Sequence, residues 1–164
     1  MSKLFPKKIV NVTWDDEPHT KYVRGATEDR LILVDDFKFT VWFIDGTSVT
    51  YTIYAGFRFE GSVPSWAWSI AKISSDSAEA QAGFCIHDWC YTMVKYHLVE
   101  RSEADLILKI TLYAPSGAIV HRYNIAQVTV VYQAVDKFGW IFANKKVTDA
   151  EAKEVERNIK EFAA

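Results

Sequence analysis

The feature that most constrains the fold is an alternation of apolar and polar residues that runs from Phe37 to Tyr54 and is interrupted once, at Asp45-Gly46. Alternation with a period of two is typical of a strand that buries one face. An Asp-Gly pair between two such runs is the strongest short-range signal for a β-hairpin. The sequence therefore predicts an antiparallel hairpin over residues 37–54, whose apolar face must pack against a second layer.

Signals on either side of the hairpin are weaker. The segment from Ile9 to Trp14 is a candidate strand, and the polar residues 15–29 are predicted to form a loop. After the hairpin, two glycines and a proline within residues 56–64 indicate a structured loop, and Pro64 suits the first turn of a helix.

The remainder of the chain carries helical signals. Helices are predicted at residues 65–73, 77–96, 106–113 and 118–138, and a final helix after residue 148. A capping box at Ser102–Asp105 precedes the helix at 106–113, and another at Thr148–Glu151 begins the final helix. The last of these helices would bury Val155, Ile159 and Phe162. The predicted fold class is therefore α+β, a small antiparallel sheet packed on three to four helices. Residues 1–164 are expected to form one domain, β-rich in 1–55, with a loop at 56–64 and helices in 65–164.

Composition limits the classes of function. The net charge of −2 provides no field that would favour nucleic acid, so a nucleic-acid partner is not expected. No apolar run approaches the roughly 18 residues that a membrane span needs, and no signal peptide is visible. Cys85 and Cys90 would point about 140° apart on one helix, so they should not pair. Synthesis in a reducing cytoplasm is expected.

The residues best suited to chemistry lie in the predicted helix that contains His87. His87, Cys90, Tyr91 and Val94 are spaced at i, i+3, i+4 and i+7 and share one stripe, with Asp88 about 100° away. His87 could act as a base or a ligand near neutral pH, or it could be a hydrogen-bonded residue of the core. Asp88 is better suited to bind a cation or a loop amide than to orient the ring.

Two further carboxylates could complete such a site. Asp105 could orient His87 if the two helices pack antiparallel, but the eighteen residues between them are too many for a tight approach unless a helix frays or bends. Asp105 could instead be a helix N-terminal carboxylate that faces the macrodipole. Glu60 lies in the glycine-containing loop, where it could bind a cation together with backbone carbonyls or cap the following helix. The sequence contains no nucleophile elbow, phosphate loop, His-Glu-x-x-His pair or zinc-ligand spacing.

Three motifs together resemble a known family. They are the loop 56–64 before a Trp-rich helix, the segment 87–91 (His-Asp-Trp-Cys-Tyr), and Glu103-Ala104-Asp105 after it. In this order they resemble domain of unknown function 1353, a family of small proteins from bacteriophages and prophages, over about residues 32–139. Glu60 stands where that family usually has Asp, and Ser65 replaces the Arg that commonly follows the proline. The resemblance implies a phage origin and no particular biochemical role.

The motif His-Asp-x-Cys-Tyr also resembles the active-site helix of secreted phospholipases A2. That resemblance implies that His87 is the base that activates water, Asp88 a calcium ligand and Asp105 the carboxylate that orients the histidine, with Tyr91 as support. The disulfide framework of those enzymes is missing here. Their Gly-rich calcium loop is missing as well, unless Glu60-Gly61-Ser62 takes its place.

Two functions are predicted. The first is a bacteriophage-encoded virion or assembly component, made in the host cytoplasm and carried in the virion. In that case the His-Asp residues form a buried polar network that fixes the loop 56–64, and Trp66, Trp68 and Trp89 anchor other phage proteins. The alternative is a calcium-dependent hydrolase, similar to phospholipase A2, with His87 as general base and a cation at Asp88 and Glu60.

Overall fold

A computed structural model describes residues 2–23, 30–59, 65–71, 78–113, 123–138 and 148–163. Within these ranges the structure has six strands, in chain order β1 (Ile9–Thr13), β2 (Thr20–Val23), β3 (Arg30–Leu33), β4 (Phe37–Phe43), β5 (Ser48–Ile53) and β6 (Arg58–Phe59). The helices of the same described residues are α1 (Ser65–Ala71), α2 (Ala78–Lys95), α3 (Arg101–Tyr113), α4 (Ile125–Phe138) and α5 (Asp149–Ala163). The fold is α+β, as predicted.

The predicted hairpin is confirmed as β4 and β5. The two strands pair antiparallel from Phe37 opposite Ile53 to Trp42 opposite Ser48. The apolar members of the alternation in β4 are buried, whereas Lys38 and Trp42 are exposed. At the turn Gly46 has a φ of 81°, a left-handed conformation that glycine adopts without steric cost. The predicted first strand is β1, which pairs with the other edge of β4 and completes a three-stranded sheet in the order β1-β4-β5.

A second antiparallel sheet, in the order β2-β3-β6, was not expected. Residues 20–23 lie inside the predicted loop 15–29 but form β2, which pairs with β3, so that prediction is wrong for these residues. Both strands have only four residues, and β6 has two. Segments this short contain too few alternations to give a periodic signal, and they become strands only because partners distant in sequence pair with them.

The helices follow the predicted positions with corrections at their ends. Helix α3 begins at Arg101 rather than after a cap at Ser102, and the Glu103 carboxylate accepts from the backbone N–H of Glu100 at 2.9 Å. Helix α4 begins with an unpredicted reciprocal pair, in which Asn124 and Gln127 each accept the other's backbone N–H at 3.0 Å. The predicted start of that helix near Ala118 lies outside the described residues.

The capping box before α5 is confirmed. The Thr148 N–H donates to the Glu151 carboxylate at 2.8 Å, and the Glu151 N–H donates to the Thr148 hydroxyl at 3.3 Å. The predicted inner face of this helix is only partly right. Val155 is buried, but Ile159 is 45% exposed, and the side chain of Phe162 is outside the described part of the chain. No described helix is long and apolar enough to cross a membrane.

Helix α2 packs against the first sheet through Trp89, which is fully buried. Its ring lies edge-on to Phe39 at a centroid distance of 5.3 Å and 5.6 Å from Tyr51. Trp89 therefore belongs to the core and cannot be the exposed partner anchor that was predicted, because its position on α2 faces the sheet. The side chains of Trp66 and Trp68, the other two predicted anchors, lie outside the part of the chain that the structure describes. Cys85 and Cys90 are free and buried, as predicted.

We expect the Trp89→Ala variant to lose about 3–5 kcal/mol of unfolding free energy, since it leaves a large cavity between α2 and the sheet. Urea denaturation followed by circular dichroism measures the loss. The matched control is Trp42→Ala, because Trp42 is 40% exposed and its indole N–H donates to the Thr13 hydroxyl. That control should cost at most about 1.5 kcal/mol. Equal losses in the two variants would contradict the assignment of Trp89 to the core.

Candidate functional site

The candidate site lies between α2 and α3, which run antiparallel because only residues 96–100 connect them. His87 lies eight residues before the end of α2 at Lys95, and Asp105 lies four residues after the start of α3 at Arg101. At 1.5 Å per residue the two positions differ by roughly 6 Å along the helices, which the side chains span. The structure accordingly brings His87 Nε2 to 3.3 Å from Asp105 Oδ1.

Gly83 allows the two helices to approach closely one turn before His87. A Cβ atom at this position would lie 3.1 Å from the Thr111 hydroxyl oxygen and 3.3 Å from Leu112 Cδ2. Both distances are tighter than ordinary van der Waals contact. The missing side chain therefore sets the separation of α2 and α3 at which His87 and Asp105 meet.

The Asp105 carboxylate is the centre of the site and is 1% exposed. Its Oδ1 accepts the Tyr91 O–H at 2.6 Å and also faces His87. Its Oδ2 lies 3.5 Å from Arg101 Nε, one turn earlier on α3. Arg101 in turn donates to the backbone carbonyl of Asp136 near the end of α4. Asp105 therefore lies against His87, which is the first of the two arrangements that the sequence left open for it.

His87 is fully buried, and its ring packs on Tyr91 at a centroid distance of 4.3 Å. Its Nδ1 lies 3.5 Å from Asp88 Oδ1, in a geometry too poor for a hydrogen bond. Within the described part of the chain Nδ1 has no hydrogen-bond partner. Adjacent helix residues diverge, as predicted, but the Asp88 carboxylate still comes close enough to act on the ring charge.

Electrostatic effects at His87 oppose each other. Burial acts to lower its pKa, but the hydrogen bond to Asp105 and the nearby Asp88 carboxylate together outweigh burial and raise the pKa above its ordinary value of 6.5. Burial, followed by the charge of Asp105, raises the pKa of Tyr91, which therefore stays a hydrogen-bond donor. Burial also raises the pKa of Cys85 and Cys90 well above the ordinary thiol value, so neither is suited to be a thiolate nucleophile.

Of the two predicted metal ligands, Asp88 is the one that lies among the described residues. Glu60, the other predicted ligand, lies outside the described residues, and those residues include no group of three His, Cys, Asp or Glu side chains that could hold a metal ion. Ca²⁺ usually takes six to eight oxygen ligands. Calcium binding at Asp88 and Glu60 thus remains a prediction.

Sequence reasoning missed one buried carboxylate near the site. Glu154 of α5 is 4% exposed and accepts the backbone N–H of Tyr54 at 3.1 Å and the Asn158 side-chain amide at 3.2 Å. Burial raises its pKa. The pair Glu154 and Asn158 is spaced i, i+4 beside the buried Val155, and this spacing was the available signal that a polar stripe of α5 faces inward.

Comparison with known families identifies the chain. The sequence model of the family described as protein of unknown function (DUF1353) matches residues 36–135. The chain belongs to the DUF1353 family. The part that matches DUF1353 runs from the hairpin into α4 and contains His87, Asp88, Tyr91 and Asp105, whereas α5 follows it. No curated protein and no solved structure was found to match the chain.

We expect the unfolding free energy of this DUF1353 protein to fall as the pH rises above about 6.5, because His87 binds its proton more tightly in the folded chain than in the unfolded one. The contribution is fully present below the unfolded pKa and is lost as the pH rises through the higher pKa of the folded protein. Urea denaturation at several pH values between about 6 and 9 measures it. The His87→Gln variant should lack this slope, and an unchanged slope would show that another group causes it.

Proposed function

We propose that this DUF1353 protein is bacteriophage-encoded and that His87 is the general base of a hydrolytic site. The observation that carries the proposal is the arrangement of the His87 ring. Nε2 faces the buried Asp105 carboxylate, and Nδ1, at the opposite edge of the ring, has no hydrogen-bond partner among the described residues. A buried polar atom without a partner is uncommon and calls for an explanation.

The chemistry follows from that arrangement. Asp105 would hold the tautomer with the proton on Nε2, which leaves the lone pair of Nδ1 to accept a proton from water. Tyr91 fixes the carboxylate by its 2.6 Å hydrogen bond, so the carboxylate cannot turn away from the ring. When His87 takes up the proton, the Asp105 and Asp88 carboxylates stabilise the imidazolium. The hydroxide so formed would add to the carbonyl carbon of an ester substrate. Collapse of the tetrahedral intermediate would break the ester C–O bond, and the His87 imidazolium would return its proton to the leaving alkoxide.

The resemblance to phospholipases A2 extends this proposal to a cation. Asp88 would bind calcium next to His87, with Glu60 as a second ligand, and the ion would stabilise the negative charge that develops on the substrate oxygen. The support is the position of Asp88, whose carboxylate lies 3.5 Å from Nδ1 and is 9% exposed.

A second candidate function is a virion or assembly component without enzymatic activity. Full burial of His87 and Asp105 favours it, because a polar network between α2 and α3 could serve only to hold the helices in one arrangement. The phage origin is part of this proposal and rests on the resemblance to proteins from bacteriophages and prophages that the three sequence motifs carry. Other phage proteins would then be the partners.

Substitution of His87 distinguishes the two functions. We expect His87→Asn to reduce kcat/KM for a hydrolysed ester or phospholipid at least about 100-fold, because general base catalysis contributes this much. The matched control is His97→Asn. His97 is exposed and has a left-handed φ of 56°, which asparagine tolerates, so the control should keep full activity. The assays use p-nitrophenyl esters and phospholipid vesicles with and without calcium.

Calorimetry completes the test of the cation. Calcium should bind the wild-type protein and bind more weakly to Asp88→Asn. If the wild type hydrolyses none of these substrates and binds no calcium, while His87→Asn lowers the melting temperature, the hydrolase proposal is wrong and the network has a structural role.

The phage role has its own measurement. Mass spectrometry of particles purified from a phage that encodes this chain should detect it as a stable constituent. The comparison sample is the cleared lysate of the same infection. Detection in the lysate alone would contradict a virion component and leave an assembly role or an enzyme of the infected cell.

A further inference from the structure

Helix α2 presents a second stripe of side chains on a side different from the one that contacts α3. Cys85, Asp88, Thr92 and Lys95 are spaced at i, i+3, i+7 and i+10. Lys95 Nζ donates to Glu151 Oε1 of α5 at 2.7 Å, and the Thr92 hydroxyl lies 3.5 Å from the same oxygen. Helix α5 therefore covers the side of α2 on which Asp88 lies.

The two helices run antiparallel along this stripe. Glu151 is opposite Thr92 and Lys95, and Glu154 follows one turn later on α5. At 100° per residue Cys85 lies about 60° from Asp88 and about 20° from Thr92 around α2, so all three are on the side that contacts α5. After burial, the Asp88 and Glu154 carboxylates also raise the pKa of the Cys85 thiol. Cys90 lies about 140° from Cys85 around α2, on the stripe with His87 and Tyr91 that faces α3, so the two cysteines report on different sides of α2.

Among the side chains of α5 that the structure describes, most of those that contact the rest of the protein are polar. Among the described side chains of α5, Val155 is the one hydrophobic residue that is buried, and the other buried ones are Glu154 and Asn158. Helix α3, by comparison, buries Ala104, Ile107, Leu108 and Leu112. Elements with little buried apolar area open at lower free energy than the core. We therefore expect α5 to separate from α2 more readily than α3 does.

The position of α5 in the sequence agrees with a separable role. The family match ends at residue 135, so it includes both helices that form the His87 site and excludes α5. The folded family segment carries the candidate chemistry, and α5 is added after it.

We propose that α5 is a displaceable cover over the Asp88 side of the His87 site, and that its separation from α2 admits solvent and ligands to that side. With α5 packed on α2, Asp88 is 9% exposed and Cys85 is 0% exposed. Opening of the cover is a property of the fold, whereas its consequence for hydrolysis rests on the function proposed above.

The two native cysteines test this proposal without any added probe. The protein is treated with N-ethylmaleimide, and mass spectrometry of peptides measures the modification rates of Cys85 and Cys90 separately. If α5 opens locally, Cys85 reacts faster than Cys90, because Cys90 becomes accessible only when α2 leaves α3 or the sheet. Equal rates for the two thiols would mean that global unfolding exposes both, and the proposal would be wrong.

A pair of variants on α5 sharpens the test. Val155→Ala removes buried apolar contact and should raise the rate at Cys85 roughly tenfold, which corresponds to about 1.4 kcal/mol of lost packing. Its matched control, Ile159→Ala, changes an exposed residue of the same helix and should leave the rate unchanged. The rate at Cys90 should stay constant in both. Glu151→Ala provides a second variant if Val155→Ala does not fold, because it removes both the pair with Lys95 and the capping box that begins α5.

The outcomes separate this proposal from the proposed function. A rise at Cys85 alone supports the cover, even if no substrate is hydrolysed, in which case only the hydrolase is wrong. If Val155→Ala and Glu151→Ala raise the modification rate of both cysteines, or of neither, the proposal that α5 is a displaceable cover is wrong, whatever the hydrolytic activity. If hydrolysis is found, its rate should increase together with the rate of Cys85 modification.

Discussion

The buried Asp105 carboxylate is the interaction on which the site depends. A carboxylate that is 1% exposed has lost nearly all contact with water, so its charge must be balanced by donors within the protein. Tyr91 and His87 of α2 supply the donors to Oδ1, and Arg101 of α3 supplies a positive charge 3.5 Å from Oδ2. Because these groups come from two helices, the charge of Asp105 fixes both the register of α2 against α3 and the direction of the His87 ring.

Three sides of helix α2 contact three different parts of the protein. Trp89 packs on the first sheet, His87 and Tyr91 face α3, and Thr92 and Lys95 face α5. The apolar contact with the sheet supplies most of the stabilisation, since burial of a large aromatic ring contributes far more than an ion pair near the surface. The polar contacts instead determine which side chains of the helices meet, and they leave His87 Nδ1 without a hydrogen-bond partner among the described residues.

Much of the fold and part of the site could be predicted from the sequence. The hairpin and the cap at Thr148 were predictable because a local pattern determines each of them. The short connection between the two helices indicated an antiparallel pair, but the eighteen residues between His87 and Asp105 argued against the close contact that the structure has. The second sheet could not, because β2 has four residues and depends on a partner elsewhere in the chain. Glu154 was missed because a carboxylate is rarely buried, and Ile159 was predicted inside because only apolar spacing was considered.

Gly83 links the backbone to the acid-base properties of the site. The Cβ of any other residue would crowd the Thr111 hydroxyl and Leu112 Cδ2, so these side chains, or α3 with them, would have to move by a few tenths of an ångström. The 3.3 Å contact between His87 and Asp105 lies one turn away and is already at the long end of the hydrogen-bond range. Position 83 is therefore a spacer, and widening the gap there would weaken the contact that raises the proton affinity of an imidazole one turn away.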